Sequence, residues 1–260
     1  MDLVKITQEN LELYHKFKST KTIKVDFEDV KIIESPIKNN TNVFFLNMKT
    51  DEAAIYCIHN ISKNVAALNF ANRDDVGGGF LHGVKAQEED LCRVSTLYST
   101  LGTMKYPWDS TSILISPNIK IFRDSNYKLL KNHYDINVIS AAAPNLNKEN
   151  FDEKKVYNTL INIYISTKKY LPNVDTLILG AWGCGEYRND PYHIGRIMNQ
   201  VNLRFGGLYK NVIFAIPTGK NINEFKSVIT LKGVRPQTNN YNYLIIIVIV
   251  LLFLYFYFKK

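Results

Sequence analysis

Two adjacent glutamates and two glycine-rich loops are the residues of this chain best suited to chemistry. The first loop runs Asn69-Phe70-Ala71-Asn72, then Gly77-Gly78-Gly79, then after seven residues Gln87-Glu88-Glu89. Consecutive glycines tolerate positive φ and let backbone N–H groups close on a ligand with no Cβ in the way. A glutamate held protonated is a general acid. Neighbours on a helix project about 100° apart, so Glu88 and Glu89 are not a facing carboxylate pair and take different jobs. Their proximity favours the neutral form of one of them, which keeps a proton donor available near neutral pH. Helix-end electrostatics also explains two acidic residues in a first turn without any chemistry. The second loop, Gly180-Ala181-Trp182-Gly183-Cys184-Gly185-Glu186-Tyr187-Arg188-Asn189-Asp190-Pro191, sets three glycines ahead of a helix start. Such a segment is an anion cradle or a tight turn around a buried tryptophan.

The elements that must position these loops alternate in type. Apolar runs and helical periodicity predict a strand at 43–46, a helix at 51–63 behind a Thr50 cap, a strand at 65–70 and a helix at 86–101. Short apolar runs follow at 112–115 and 136–140, then a helix at 151–170, a strand at 174–179, a helix at 191–205, a strand at 212–216 and a helix at 222–228. Helices between buried strands imply a three-layer α/β/α fold with a mainly parallel or mixed central sheet. In such sheets ligands bind beyond the carboxyl ends of the strands, where both loops fall. Residues 1–40 read as an accessory segment, with a helix capped by Thr7 and one or two strands within 22–35.

Composition narrows the class. With 260 residues, 46% hydrophobic and 22% charged, the chain is globular, which excludes disordered and collagen-like proteins. Cys57, Cys92 and Cys184 are too few and too far apart for a disulfide framework or a paired zinc knuckle, and five histidines offer no i, i+4 pair around a glutamate. No metal or cofactor is therefore expected. The net charge of +8 suits an anionic partner without choosing one. No basic helix with interleaved aromatics is present, so nucleic acid ranks last.

The segment NFAN, then GGG, then QEEDLCRVSTLYSTL resembles the bacterial-type poly(ADP-ribose) glycohydrolases, a branch of the macrodomain fold. The resemblance extends over about residues 42–228. It implies Glu89 as the catalytic acid, Glu88 and Asn72 as holders of the distal ribose hydroxyls, and Gly77, Gly78 and Gly79 around the diphosphate and that ribose. Gln87 joins this binding set. From the second loop it implies Gly183, Cys184, Gly185 and Glu186 at the diphosphate and Tyr187 as the aromatic that stacks on ligand. By its own chemistry Cys184 reads as a packing residue, and Glu186 and Arg188 depart from the smaller residues expected there. The implied reaction is hydrolysis of ribose–ribose O-glycosidic bonds in poly(ADP-ribose), through an oxocarbenium-like state that needs a proton on the leaving oxygen. The implied partners are poly(ADP-ribose) or ADP-ribosylated proteins, met by a monomer. The alternative is a non-catalytic ADP-ribose reader, which has no need of Glu89.

The C-terminal region is read apart from the resemblance. Residues 244–258, LIIIVIVLLFLYFYF, carry no charge, Pro or Gly and are flanked by Tyr241, Tyr243, Lys259 and Lys260. That pattern predicts a transmembrane helix at 243–258 behind a polar tether at 231–242, giving a tail-anchored protein with its globular domain, 41–230, facing the cytosol.

Overall fold

The computed structural model describes residues 2–18, 20–32, 40–219 and 221–233. Its centre is a seven-stranded sheet of β1 (Ile23–Val25), β2 (Asn42–Leu46), β3 (Val65–Phe70), β4 (Ile113–Arg123), β5 (Leu129–Ala141), β6 (Thr176–Leu179) and β7 (Asn211–Ala215), in the spatial order β1-β4-β5-β3-β6-β7-β2. The five strands from β5 to β2 are parallel, while β4 pairs antiparallel with both β1 and β5. The sheet is therefore mixed.

Among the described residues seven α-helices connect and flank the sheet: α1 (Leu3–Leu13), α2 (Thr50–Asn60), α3 (Gln87–Val94), α4 (Leu97–Leu101), α5 (Glu153–Tyr170), α6 (Pro191–Phe205) and α7 (Asn221–Val228). Strand alternation assigns them to two layers. In β3, Ala66 and Leu68 enter a core shared with α5, α6 and α7, whereas Val65 and Ala67 enter one shared with α2, α3 and α4. Burial on both faces is why β3, β6 and β7 read as continuous apolar runs rather than alternating ones.

Several expectations need correction. The runs at 112–115 and 136–140 are only parts of a long hairpin. Pro117 and Asn118 break the apolar run of β4 at a register shift before the buried Ile119, Ile121 and Phe122, and Lys131, Asn132 and His133 of β5 are exposed. The turn is built by Asp124, whose Oδ1 accepts from the Asn126 and Lys128 backbone N–H groups. The single helix expected at 86–101 breaks at Ser95, which is extended and bridges to Ile121. Its hydroxyl donates to the Leu91 carbonyl at 2.6 Å, and its oxygen accepts from the Leu97 N–H at 3.2 Å, so the side chain replaces the helical ladder.

Thr7 does not cap α1; Asp2 does, accepting from the Val4 and Lys5 N–H groups, and Thr7 is buried inside the helix. Thr50 begins α2 rather than preceding it, with Lys49 at the cap position. The 22–35 region yields only β1 and a 3-10 turn at Phe27–Asp29, with 33–39 outside the described residues. Among the described residues no helix is long and apolar enough to cross a membrane. The helix expected at 243–258, and all but the start of its tether, lie outside them.

Candidate active site

The carboxyl ends of β3, β6 and β7, with the chain that follows each, enclose a cavity of about 520 Å³, a size suited to a drug- or nucleotide-sized ligand. Phe70 and Asn72 enter it from the end of β3, Glu88 and Glu89 from the first turn of α3, Ala181 to Gly183 and Gly185 to Tyr187 from the loop after β6, and Ile216 and Pro217 from the end of β7. The two loops singled out in the sequence therefore face one space.

Gln87 fastens α3 to the sheet. Its Oε1 accepts from the Phe70 N–H at 2.8 Å, and its Nε2 donates to the Leu68 carbonyl and the Thr50 hydroxyl, both at 2.9 Å. The amide borders the cavity yet is spent on the protein, so Gln87 orients the two residues that follow it.

Glu88 is almost fully buried. Its Oε2 accepts from the Asn72 N–H at 2.7 Å and its Oε1 from Asn69 Nδ2 at 2.9 Å. Burial pushes this carboxyl up to about 8, against the two hydrogen bonds that favour its charge; the neighbouring Glu89 adds a smaller push. Glu89 is also buried, but only one of its oxygens has a protein donor among the described residues: Oε1 accepts from the Gly79 N–H at 2.9 Å. One carboxyl is thus fixed within the fold while the other keeps an oxygen for the cavity.

The glycine triplet stands behind Glu89 rather than among the lining residues. Gly78 has φ +56°, and a Cβ there would lie 2.5 Å from Glu89 Oε1. The triplet therefore lets the chain pass close to the carboxylate. Asn72 shapes the preceding turn, its Oδ1 accepting from the Asp74 and Asp75 N–H groups.

In the second loop Trp182 is fully buried and donates from Nε1 to the Ala141 carbonyl at 2.9 Å. Asn189 Nδ2 donates to the carbonyls of Pro144 and Gly183. Gly183 has φ +74°, and a Cβ would stand 2.4 Å from that of Ala143. These contacts hold Gly183, Gly185, Glu186 and Tyr187 on the cavity wall, while Cys184 turns away and burial pushes its thiol up to about 12. Tyr187 is half-buried, its hydroxyl also pushed up to about 12 by burial and by the charges of Glu88 and Asp74. Asp190 caps the N-terminus of α6, accepting from the His193 N–H at 2.8 Å.

Sequence reasoning assigned no role to Asn69, Asp51 or Asn189. Asp51 is buried in the first turn of α2, borders a smaller cavity of about 230 Å³ that shares Phe70, Gln87, Ala181, Ile216 and Pro217 with the main one, and its Oδ2 has no hydrogen-bond partner among the described residues. Only its neighbourhood in space marks it. Among the described residues no group of His, Cys, Asp and Glu is arranged to hold a metal ion.

Residues 2–124 match the family described as "Microbial-type PARG, catalytic domain". No curated protein matches the sequence. Among solved structures, poly(ADP-ribose) glycohydrolase from Deinococcus radiodurans in complex with ADP-ribose is 29% identical in one crystal form, with 74% of this chain and 85% of that chain covered at a TM-score of 0.62. A second crystal form of that complex gives 27% identity, 72% and 83% coverage and a TM-score of 0.63. Poly(ADP-ribose) glycohydrolase from Thermomonospora curvata, bound to the inhibitor ADP-HPD, shares the fold at a TM-score of 0.74, with 24% identity over 86% of this chain and 98% of that one. The chain is thus similar in sequence, over residues 2–124, to the microbial-type PARG catalytic domain, and similar in fold, over most of its length, to solved poly(ADP-ribose) glycohydrolases.

Proposed function

We propose that this chain is a poly(ADP-ribose) glycohydrolase that works through Glu89. The observation that carries the reading is the pairing of Glu89, which lines the cavity and has a protein donor at one oxygen alone among the described residues, with the Gly183–Tyr187 wall facing the same space. The family match and the ADP-ribose complex of a relative at 29% identity support the substrate.

In this reading the terminal unit enters with its distal ribose at Glu88, Glu89 and Asn72 and its diphosphate along the backbone of Gly183 and Gly185. Glu89 gives its proton to the leaving ribose oxygen as the C1–O bond breaks, leaving an oxocarbenium-like ribosyl cation. Water adds to that carbon and returns a proton to Glu89, so the acid is regenerated and ADP-ribose is free to leave. Glu88, neutral over much of the physiological range because of its burial, holds hydroxyls without setting a full negative charge beside the acid.

The test is incubation of the full chain with poly(ADP-ribosyl)ated protein and identification of the soluble product. Accumulation of ADP-ribose is the expected result. Tight binding of ADP-ribose with no release would make the chain a reader instead. We also read residues 244–258 as a membrane span, on their uncharged composition and their Tyr and Lys flanks. Retention of the full chain in the membrane pellet after alkaline carbonate washing is expected, and loss into the supernatant would refute that span.

A further inference from the structure

Arg93 lies on α3 one turn beyond Glu89, and its side chain is wholly buried. Placing a guanidinium in a core is costly unless its donors are used. Its Nη2 donates to the Val84 carbonyl at 2.5 Å and the Phe80 carbonyl at 3.4 Å, and its Nη1 meets Asp90 Oδ1 at 3.5 Å. Phe80 and Val84 belong to the segment that leaves Gly79, whose carbonyl accepts from the N–H groups of both His82 and Val84. The Gly79 N–H in turn is the donor to Glu89 Oε1. A path of hydrogen bonds thus runs from Arg93 through Val84 and Gly79 to the acid.

The arginine is itself held by a closed ring of side chains from distant parts of the sequence. Asn10 Nδ2 on α1 donates to the Arg93 carbonyl at 2.7 Å, and Asn10 Oδ1 accepts from Arg123 Nε at 2.7 Å. Arg123 Nη1 donates to the Tyr127 carbonyl at 2.7 Å, and the Tyr127 hydroxyl donates to Asp90 Oδ1 at 2.5 Å. The Asp90 contact with Arg93 closes the circuit, and Lys49 holds the other oxygen of Asp90 at 2.9 Å. Thr7 adds a bond from α1 to the Phe80 carbonyl at 3.1 Å.

We propose that Arg93 is a positioning residue for Glu89. It fixes the Gly79–Val84 segment that holds the acid's Oε1, and the ring through Asn10, Arg123, Tyr127 and Asp90 fixes Arg93. A hydrophobic residue would fill the space but would take from the Val84 carbonyl its donor among the described residues and from the Phe80 carbonyl one of its donors. The consequence is that α1, which reaches Arg93 and Phe80 through Asn10 and Thr7, helps set the geometry of catalysis. This rests on the reading of Glu89 as the acid.

The experiment uses the full chain, wild type beside Arg93→Met, Arg93→Lys and Tyr127→Phe. The rate of ADP-ribose release is divided by the number of ADP-ribose-binding sites found by calorimetry, so unfolded molecules do not count. For Arg93→Met, kcat per binding site should fall about tenfold or more, with ADP-ribose affinity within about threefold of wild type. Arg93→Lys should recover part of that loss, and Tyr127→Phe, which removes only the hydroxyl at the far side of the ring, should lower kcat about threefold. Unchanged kcat per site in Tyr127→Phe and Arg93→Lys would overturn the proposal, as would parallel losses of rate and affinity. If Arg93 variants do not fold, Tyr127→Phe decides the matter alone. A wild type that binds ADP-ribose and releases none would instead sink the glycohydrolase reading, and this inference with it.

Discussion

Glu88 and Glu89 adjoin in the chain and part in their contacts: Glu88 is bound at both oxygens by Asn69 and Asn72, while Glu89, which also lines the cavity, has among the described residues only the Gly79 N–H as donor. The division of labour between two like residues therefore lies in their surroundings. The 100° step between helical neighbours separates them, and Gln87 sets the phase by locking the first turn of α3 to β3.

Stability should fall as the pH rises from about 5 to about 8.5. Burial raises the Glu88 carboxyl from its ordinary value to about 8 and that of Asp51 to about 6, so between the unfolded and folded values the native state binds more protons than the unfolded one. Their contribution is fully present below the unfolded values and is lost as pH climbs through the folded ones. Asp26 and Asp109, lowered chiefly by hydrogen bonds from Lys24 and Thr111, act in the opposite sense, but only in more acid solution. Urea midpoints at pH 5 and pH 8.5 check this. Glu88→Gln should flatten the slope, and an unchanged slope would contradict the burial argument.

Gly78→Ala should impair both folding and turnover. The residue has φ +56°, and the added Cβ would meet Glu89 Oε1 at 2.5 Å. A loss of about 1 kcal/mol from backbone strain is expected, together with a fall in kcat larger than that loss explains, because the acid itself must move. Denaturant melts and steady-state kinetics on one preparation separate the two.

Asn189→Ala should act on binding. It removes the donor shared by the Pro144 and Gly183 carbonyls and so loosens the wall opposite the acid. ADP-ribose affinity should weaken about tenfold, the scale of one or two lost hydrogen bonds, with kcat at saturation changed less. Calorimetry with ADP-ribose reads this directly, and an unchanged affinity would remove the second loop from the binding account.

What the sequence revealed follows from the range of the forces involved. Val65–Phe70 and Pro191–Phe205 were legible at their observed bounds, because a doubly buried strand and a helix with Asp190 and Pro191 at its start carry their signals locally. The hairpin of β4 and β5 was not, since Pro117 and Asn118 interrupt β4, the outer part of β5 is exposed, and the turn depends on Asp124. In the site, the spacing of GGG and QEE exposed the two glutamates. Asn69, Asp51, Asn189 and Arg93 stayed hidden, because their importance arises from partners such as Glu88, Gly183 and Val84 that only the folded chain brings near.

The most direct measurement is single-turnover release of ADP-ribose from poly(ADP-ribosyl)ated protein by wild type and Glu89→Gln, with ADP-ribose affinity measured on the same samples. The substitution keeps the acceptor for the Gly79 N–H and removes the transferable proton. The account predicts a rate lower by at least about 100-fold with affinity changed less than about threefold. Release by Glu89→Gln as fast as by wild type would contradict it.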